Sequence, residues 1–220
     1  LSATLRADGS SKFAPDTRWG YFPAVSAGWI VTEEDFMSGM PSLSNLKLRA
    51  SYGQTGNNAI GLFDAYGNYS TSGKYAGNAT IVTSTIPNKD LRWETTNQLD
   101  VGFDLGLFKD RIKLSFDYFD KITNDLIFSN PLPNTSGYTS ITTNIGKVKF
   151  YGTDVEFSSQ NIKTGNFSWS TDFTYSYVMN RVLELPDNGR ERNRIGGITL
   201  GDGTAFGGTA EGERMYRIYG

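Results

Sequence analysis

The chain has neither cysteine nor histidine. That removes disulfide scaffolds, thiol nucleophiles, Ser-His-Asp triads and nearly every zinc site at once. It does not fix a compartment, because a reducing cytosol and a disulfide-free envelope protein both fit. A large excess of either charge is also missing. Lys plus Arg is 21 and Asp plus Glu is 23, for a net charge of −2, and no basic cluster occurs. A nucleic-acid binder shows a basic stripe, so nucleic acid is not an expected partner. Long apolar runs are absent too. No stretch reaches the ~18 apolar residues of a transmembrane helix. A transmembrane β-barrel escapes that exclusion, because its strands alternate and never raise a window average.

What is present is aromatic residues (14%), 25 glycines and many Ser, Thr and Asn residues. That is the composition of a turn-rich β protein. Strict alternation recurs, and a period of two is the strand signature. In NQLDVGFDLGLF, Leu99, Val101, Phe103, Leu105 and Leu107 face one way, against Gln98, Asp100, Gly102, Asp104 and Gly106. A tight turn at Lys109-Asp110 and the strand RIKLSFDYFDK complete a hairpin. LKLRASYG, YGTDVEF and FSWSTDFTYSY repeat the pattern. With Leu1–Ala7 and RWGYFPAVSAGW, the sequence predicts about seven strands.

The last of these has a large face, Trp19, Tyr21, Val25, Ala27 and Trp29, and a mostly small one, Gly20, Ala24, Ser26 and Gly28. Phe22 is the exception on the small face. Pro23 lacks a ladder donor, so a bulge or a missing hydrogen bond is expected there.

Connections alternate in length. Lys109-Asp110 and Asn161–Gly165 are short, and Glu33–Asn45 is intermediate. Gln54–Leu91, Phe128–Thr139 and Pro186–Ala210 read as long loops. Short turns at one end and long loops at the other is the arrangement of outer-membrane barrels.

On the five clearest strands, Lys47, Arg49, Asp100, Asp104, Lys113, Asp117, Asp154, Glu156 and Asp172 all share the polar face. The apolar face carries no charge there. A barrel requires this of its lipid side, and a sandwich requires it of its core, so alternation by itself leaves both open. Aromatic placement adds a distance. Trp169 and Tyr177 are eight residues apart. At ~3.3 Å rise and ~40° tilt they project to about 20 Å, near the ~25 Å apolar band of a barrel.

RADGSSKF, RWGYFPAVSAGW, LKLRASYGQTGN and LRWETTNQLDVGFDLGLFKDRI occur in that order, followed by DYFDKITNDLI, Ser136-Gly137-Tyr138 and NIGKVKFYGTDVEF. Together they resemble successive barrel strands of SusC-type TonB-dependent transporters. EGERMYRIYG at the end resembles the entry of the next strand. The resemblance implies an all-β, antiparallel transmembrane barrel of about 22 strands with a plug in its lumen. The expectation for residues 1–220 is an internal barrel segment, with the plug and closing strands outside this sequence.

The resemblance further implies residence in the bacterial outer membrane, against lipid. The function implied is TonB-dependent import of oligosaccharides or peptides, with a SusD-like surface lipoprotein as partner. Contact with the TonB complex would fall to a segment outside this sequence. A siderophore-type receptor and a soluble glycan-binding β-sandwich are the alternatives. No cofactor and no covalent step are implied.

Tyr66, Tyr69, Tyr75 and Tyr138 lie in the long loops, where they could stack on a substrate or partner, or merely pack the loops together. The Gly-rich stretch Gly196–Gly208 lacks a G-K-[ST] ending and EF-hand spacing, so it reads as an external loop. The acidic residues are compatible with a glycosidase pair. Their spread over several strands favours a hydrated wall.

Overall fold

The computed structural model describes residues 1–196, 198, 199, 205, 206 and 208–215. The strands are β1 (Ser2–Gly9), β2 (Trp19–Ile30), β3 (Leu43–Asn57), β4 (Tyr69–Tyr75), β5 (Asn78–Thr83), β6 (Glu94–Leu107), β7 (Ile112–Asn124), β8 (Ile127–Pro131), β9 (Ser140–Asn144), β10 (Lys147–Lys163), β11 (Ser168–Glu184), β12 (Ile198–Thr199) and β13 (Ala205–Phe206). β1, β2, β3, β6, β7, β10 and β11 form one seven-stranded sheet in that order. Every pair in it is antiparallel. The other strands make three two-stranded ribbons, β4–β5, β8–β9 and β12–β13.

The two longest connections within the sheet lie at one end, beside the shorter link 10–18. Residues 31–42, 108–111 and 164–167 link strands at one end. Residues 58–93 and 125–146 link them at the other, and each of these long connections contains a ribbon. The stretches 54–91 and 128–139 are therefore not plain loops. β3 continues to Asn57, and β4–β5 and β8–β9 stand inside the connections. The turn at Lys109-Asp110 is also wider than its sequence suggests, with Phe108, Lys109 and Asp110 all left-handed at φ 56°, 58° and 61°.

Pairing residues share a face, so the register defines lateral rows. Trp29, Leu48, Phe103, Phe116, Val155 and Tyr175 form one row. Phe103 and Phe116 stack there with centroids 5.7 Å apart. This face stays open. Trp19 is 60% exposed, Phe173 56% and Tyr175 50%. The buried apolar cluster lies elsewhere, in the connections at the long-loop end: Phe13, Ile60, Ala65 and Leu91, with Trp93 and Ile127 against them.

At Pro23 the structure takes the second of the two expected outcomes, a missing pairing and not a bulge. The register with β1 runs through Leu5↔Pro23 with no shift, so there is no bulge. Pairing with β3 instead starts at Ala24. Phe22, the one large residue on the small face, is buried beside that point. Its ring meets Trp93 edge-on at 5.5 Å, and a Cβ on Gly20 or Gly56 would collide with it. The proline ends the ladder on one side, and the phenylalanine fills the fork that results.

Beyond β11, Val182 N–H donates to Glu213 O, and Gly212 N–H donates to Val182 O, both at 2.8 Å. Gly212 (φ 78°) and Glu213 thus face one residue of β11, as at a glycine bulge. The remainder of the EGERMYRIYG segment, residues 216–220, lies outside the described residues, as does most of the 196–208 stretch.

Candidate functional site: the polar wall and the loop rim

The polar face of the sheet is a wall of charges set between glycines. One lateral row reads Gly28, Arg49, Gly102, Asp117, Asp154 and Ser176. Arg49 lies across Gly102. Its Nη2 donates to Asp104 Oδ1 at 2.9 Å, Asp117 Oδ2 at 3.0 Å and Ser115 Oγ at 3.2 Å. Ser115 Oγ in turn donates to Asp104 Oδ1 at 2.9 Å. One cation therefore holds two carboxylates from two further strands.

Asp100 accepts from Gln98 Nε2 at 2.8 Å and from Ser51 Oγ at 3.2 Å, and Asp154 accepts from Ser176 Oγ. About a third of each side chain in the Arg49 group remains exposed, so water screens these pairs and they contribute little to stability. Their effect is to order a hydrated surface.

Gly102 is what lets Asp117 and the β7 backbone come close. A Cβ there would sit 2.5 Å from Phe116 O and would also strike the Asp117 carboxylate. Backbone cannot yield as a side-chain tip does. Gly102→Val is expected to lower the folded, heat-modifiable band of the full-length protein several-fold in outer-membrane fractions, although position 102 faces away from lipid.

The second region is the rim formed by the long connections. The ring of Phe13 lies 5.5 Å from that of Trp93. Lys12 Nζ donates to Ile60 O at 3.0 Å, and Trp93 Nε1 donates to Arg18 O at 3.0 Å. Asn88 Nδ2 reaches Thr142 O, and Asn144 Nδ2 reaches Arg92 O, both at 2.8 Å. Arg92 Nη2 donates to Asp125 Oδ1 at 2.6 Å, and that bond raises the arginine's pKa further. Three successive connections, at residues 10–18, 58–93 and 125–146, are thereby tied into one unit.

The four loop tyrosines separate into two kinds. Tyr66 is bound into the rim, its hydroxyl donating to Phe13 O at 3.2 Å. The Tyr138 hydroxyl bonds to Thr83 Oγ1. Tyr69 and Tyr75 stand on β4, 74% and 79% exposed. The sequence did not reveal the Arg49 network or the rim. Parity gives the side of a residue, but which strands oppose each other emerges only from the register. Among the described residues no group of His, Cys, Asp and Glu could hold a metal ion.

A sheet with an exposed aromatic face uncharged over a wide central band, a polar opposite face and its two longest connections at one end defines a class of protein, the membrane-spanning β-barrel. The sequence model of the family described as "TonB dependent receptor-like, beta-barrel" matches residues 1–212, and the chain belongs to that family. Its place is the outer membrane, with the short connections periplasmic and the long ones external. This sets aside the soluble sandwich.

A TonB-dependent receptor of Formosa agariphila is 39% identical over 207 residues, covering 94% of this chain and 20% of that protein. "TonB-dependent receptor SusC" of Bacteroides thetaiotaomicron is 35% identical over 190 residues, covering 83% of this chain and 19% of that protein. Among solved structures, "Structure of the RagAB peptide transporter" aligns with a TM-score of 0.77 at 27% identity, over 83% of this chain and 20% of that one. The chain spans about a fifth of the length of the curated relatives it matches.

Proposed function

We propose that this chain is a wall segment of a TonB-dependent importer for oligosaccharides or peptides. The plug, the TonB-contacting segment and the closing strands then belong to parts of the protein outside this sequence. The observation that carries the reading is the polar wall. Arg49, Asp104 and Asp117 form an ordered, water-accessible surface on the side opposite the aromatic face. Such a wall suits solute passage by binding and gating, with no covalent step.

The relatives support the substrate range. One carries the name SusC and another is titled a peptide transporter. A SusD-like surface lipoprotein is the proposed partner at the external rim. The open tyrosines Tyr69 and Tyr75 are the proposed contacts there, with Tyr66 and Tyr138 holding the loops that present them.

The test is fractionation of cells expressing the full-length protein, followed by mass spectrometry of what co-purifies in detergent. Recovery in the outer membrane with a surface lipoprotein is the expected result. Recovery without any lipoprotein partner would overturn the SusC-type assignment.

A further inference from the structure

The lipid-facing side is free of charge only over part of its length. Following the rows toward the external end, Tyr52, Leu99, Asp120, Tyr151 and Met179 lie side by side, and the next row reads Gln54, Asn97, Ile122, Lys149 and Arg181. Lys147 follows Lys149 on the same face of β10. Three cations thus occupy the outward side of β10 and β11, immediately beyond Tyr151 and Met179, where the apolar band gives way to headgroups.

Their placement is costly as it stands. Lys149 and Arg181 are direct cross-strand partners, and like charges directly opposite destabilise a sheet. Asp120 pairs with Lys149 and offsets one charge. Glu184 stands opposite Lys147 across a bulge. One positive charge remains in excess. Lys149 also lies 5.5 Å from the ring centre of Tyr151, which anchors it at the edge of the band. Arg181 is exposed, and its Nε donates to Gly212 O at 3.1 Å. That bond fixes the guanidinium and leaves its two terminal nitrogens outside it.

We propose that Lys147, Lys149 and Arg181 form a binding site for the phosphate of an outer-leaflet lipid headgroup. A phosphate is an acceptor that a fork and two ammonium groups can share. It would relieve the repulsion between Lys149 and Arg181. The outward face and the level beyond the aromatic residues place the site where a headgroup phosphate lies, away from the polar wall that a transported solute would follow. The inference rests on the outer-membrane location and not on the identity of the imported substrate.

The experiment uses the full-length protein in detergent. Lipid retention is read by native mass spectrometry after incubation with phosphorylated lipid A, with dephosphorylated lipid A, or with phosphorylated lipid A plus millimolar inorganic phosphate. The wild type is expected to retain the phosphorylated lipid. Lys149→Gln with Arg181→Gln is expected to weaken retention about tenfold or more, since each cation near a charged surface contributes roughly 1 kcal/mol. Lys149→Arg with Arg181→Lys keeps the charge and is expected to restore most of the retention. Lys113→Gln on the polar wall is expected to change nothing. Unchanged retention in the double Gln variant, or equal retention of dephosphorylated lipid A by the wild type, would overturn the proposal. Displacement of the lipid by inorganic phosphate would overturn its assignment to a headgroup. If the double Gln variant fails to assemble, Arg181→Gln alone is read instead, and is expected to weaken retention several-fold.

Discussion

Replacing Phe103 by arginine will remove most of the full-length protein from the outer membrane, while Asp104→Asn will leave its level close to wild type. The two residues are neighbours on β6, and only their faces differ. Phe103 stacks on Phe116 in the middle of the lipid-facing rows. An arginine on the lipid side costs roughly 2–4 kcal/mol near the midplane, and the aromatic contact is lost as well. Asp104 faces the polar wall, where its carboxylate shares Arg49 with Asp117. Asparagine keeps an acceptor for Ser115 and Arg49, and Asp117 still balances the cation. Quantitative blotting of outer-membrane fractions, with heat-modifiability as the measure of folding, checks both. Equal levels of the two variants would show that the faces are assigned wrongly.

Leu91→Ala will loosen the external rim without lowering the amount of assembled barrel. Leu91 is fully buried among Phe13, Ile60 and Ala65, in the connections and not in the sheet. Truncating a buried leucine to alanine costs about 2–5 kcal/mol. Here that loss falls on the cluster that joins three external connections. Trypsin added to intact cells is expected to cleave the variant at Lys89 or Arg92 at least several times faster than wild type. The protected strands should survive as the same membrane fragments. An unchanged cleavage rate would mean that the connections are held by their hydrogen bonds and not by the apolar cluster.

The wall of this barrel was legible in the sequence, and the rim was not. The side of Phe103 or Asp104 follows from parity alone, because one face of each strand meets lipid and tolerates no charge over the width of the band. Parity also explains why Arg49, Asp104 and Asp117 share a face. That Arg49 reaches both carboxylates needs the register across β3, β6 and β7, together with the space left by Gly102.

The β4–β5 and β8–β9 ribbons escaped because Asn, Gly, Thr and Ser dominate them. Asn, Gly and Ser favour turns, and here the pairing within each ribbon holds them extended. Phe13 and Leu91 have mostly polar neighbours, Ile60 lies in the short apolar stretch AIGLF, and nothing periodic announces that they meet. At Pro23 the missing donor shows as a dropped ladder and not as a bulge, the second of the two outcomes expected there. The chain drops a ladder on one side and fills the fork with Phe22. At Asp120 and Lys149 the uncharged face ends sooner than the strands do, as the alternation beyond Tyr118 shows.

Successive residues of one strand alternate between lipid and water across the membrane. Single cysteines placed in turn from Gln98 to Leu107, in a cysteine-free full-length protein, test it most directly, since this stretch has no native cysteine to replace. A water-soluble maleimide and a lipid-soluble one are applied to outer membranes. Water-side labelling is expected at Gln98, Asp100, Asp104 and Gly106, and lipid-side labelling at Leu99, Val101, Phe103 and Leu105. Labelling that does not alternate, or that alternates in the opposite phase, would contradict it.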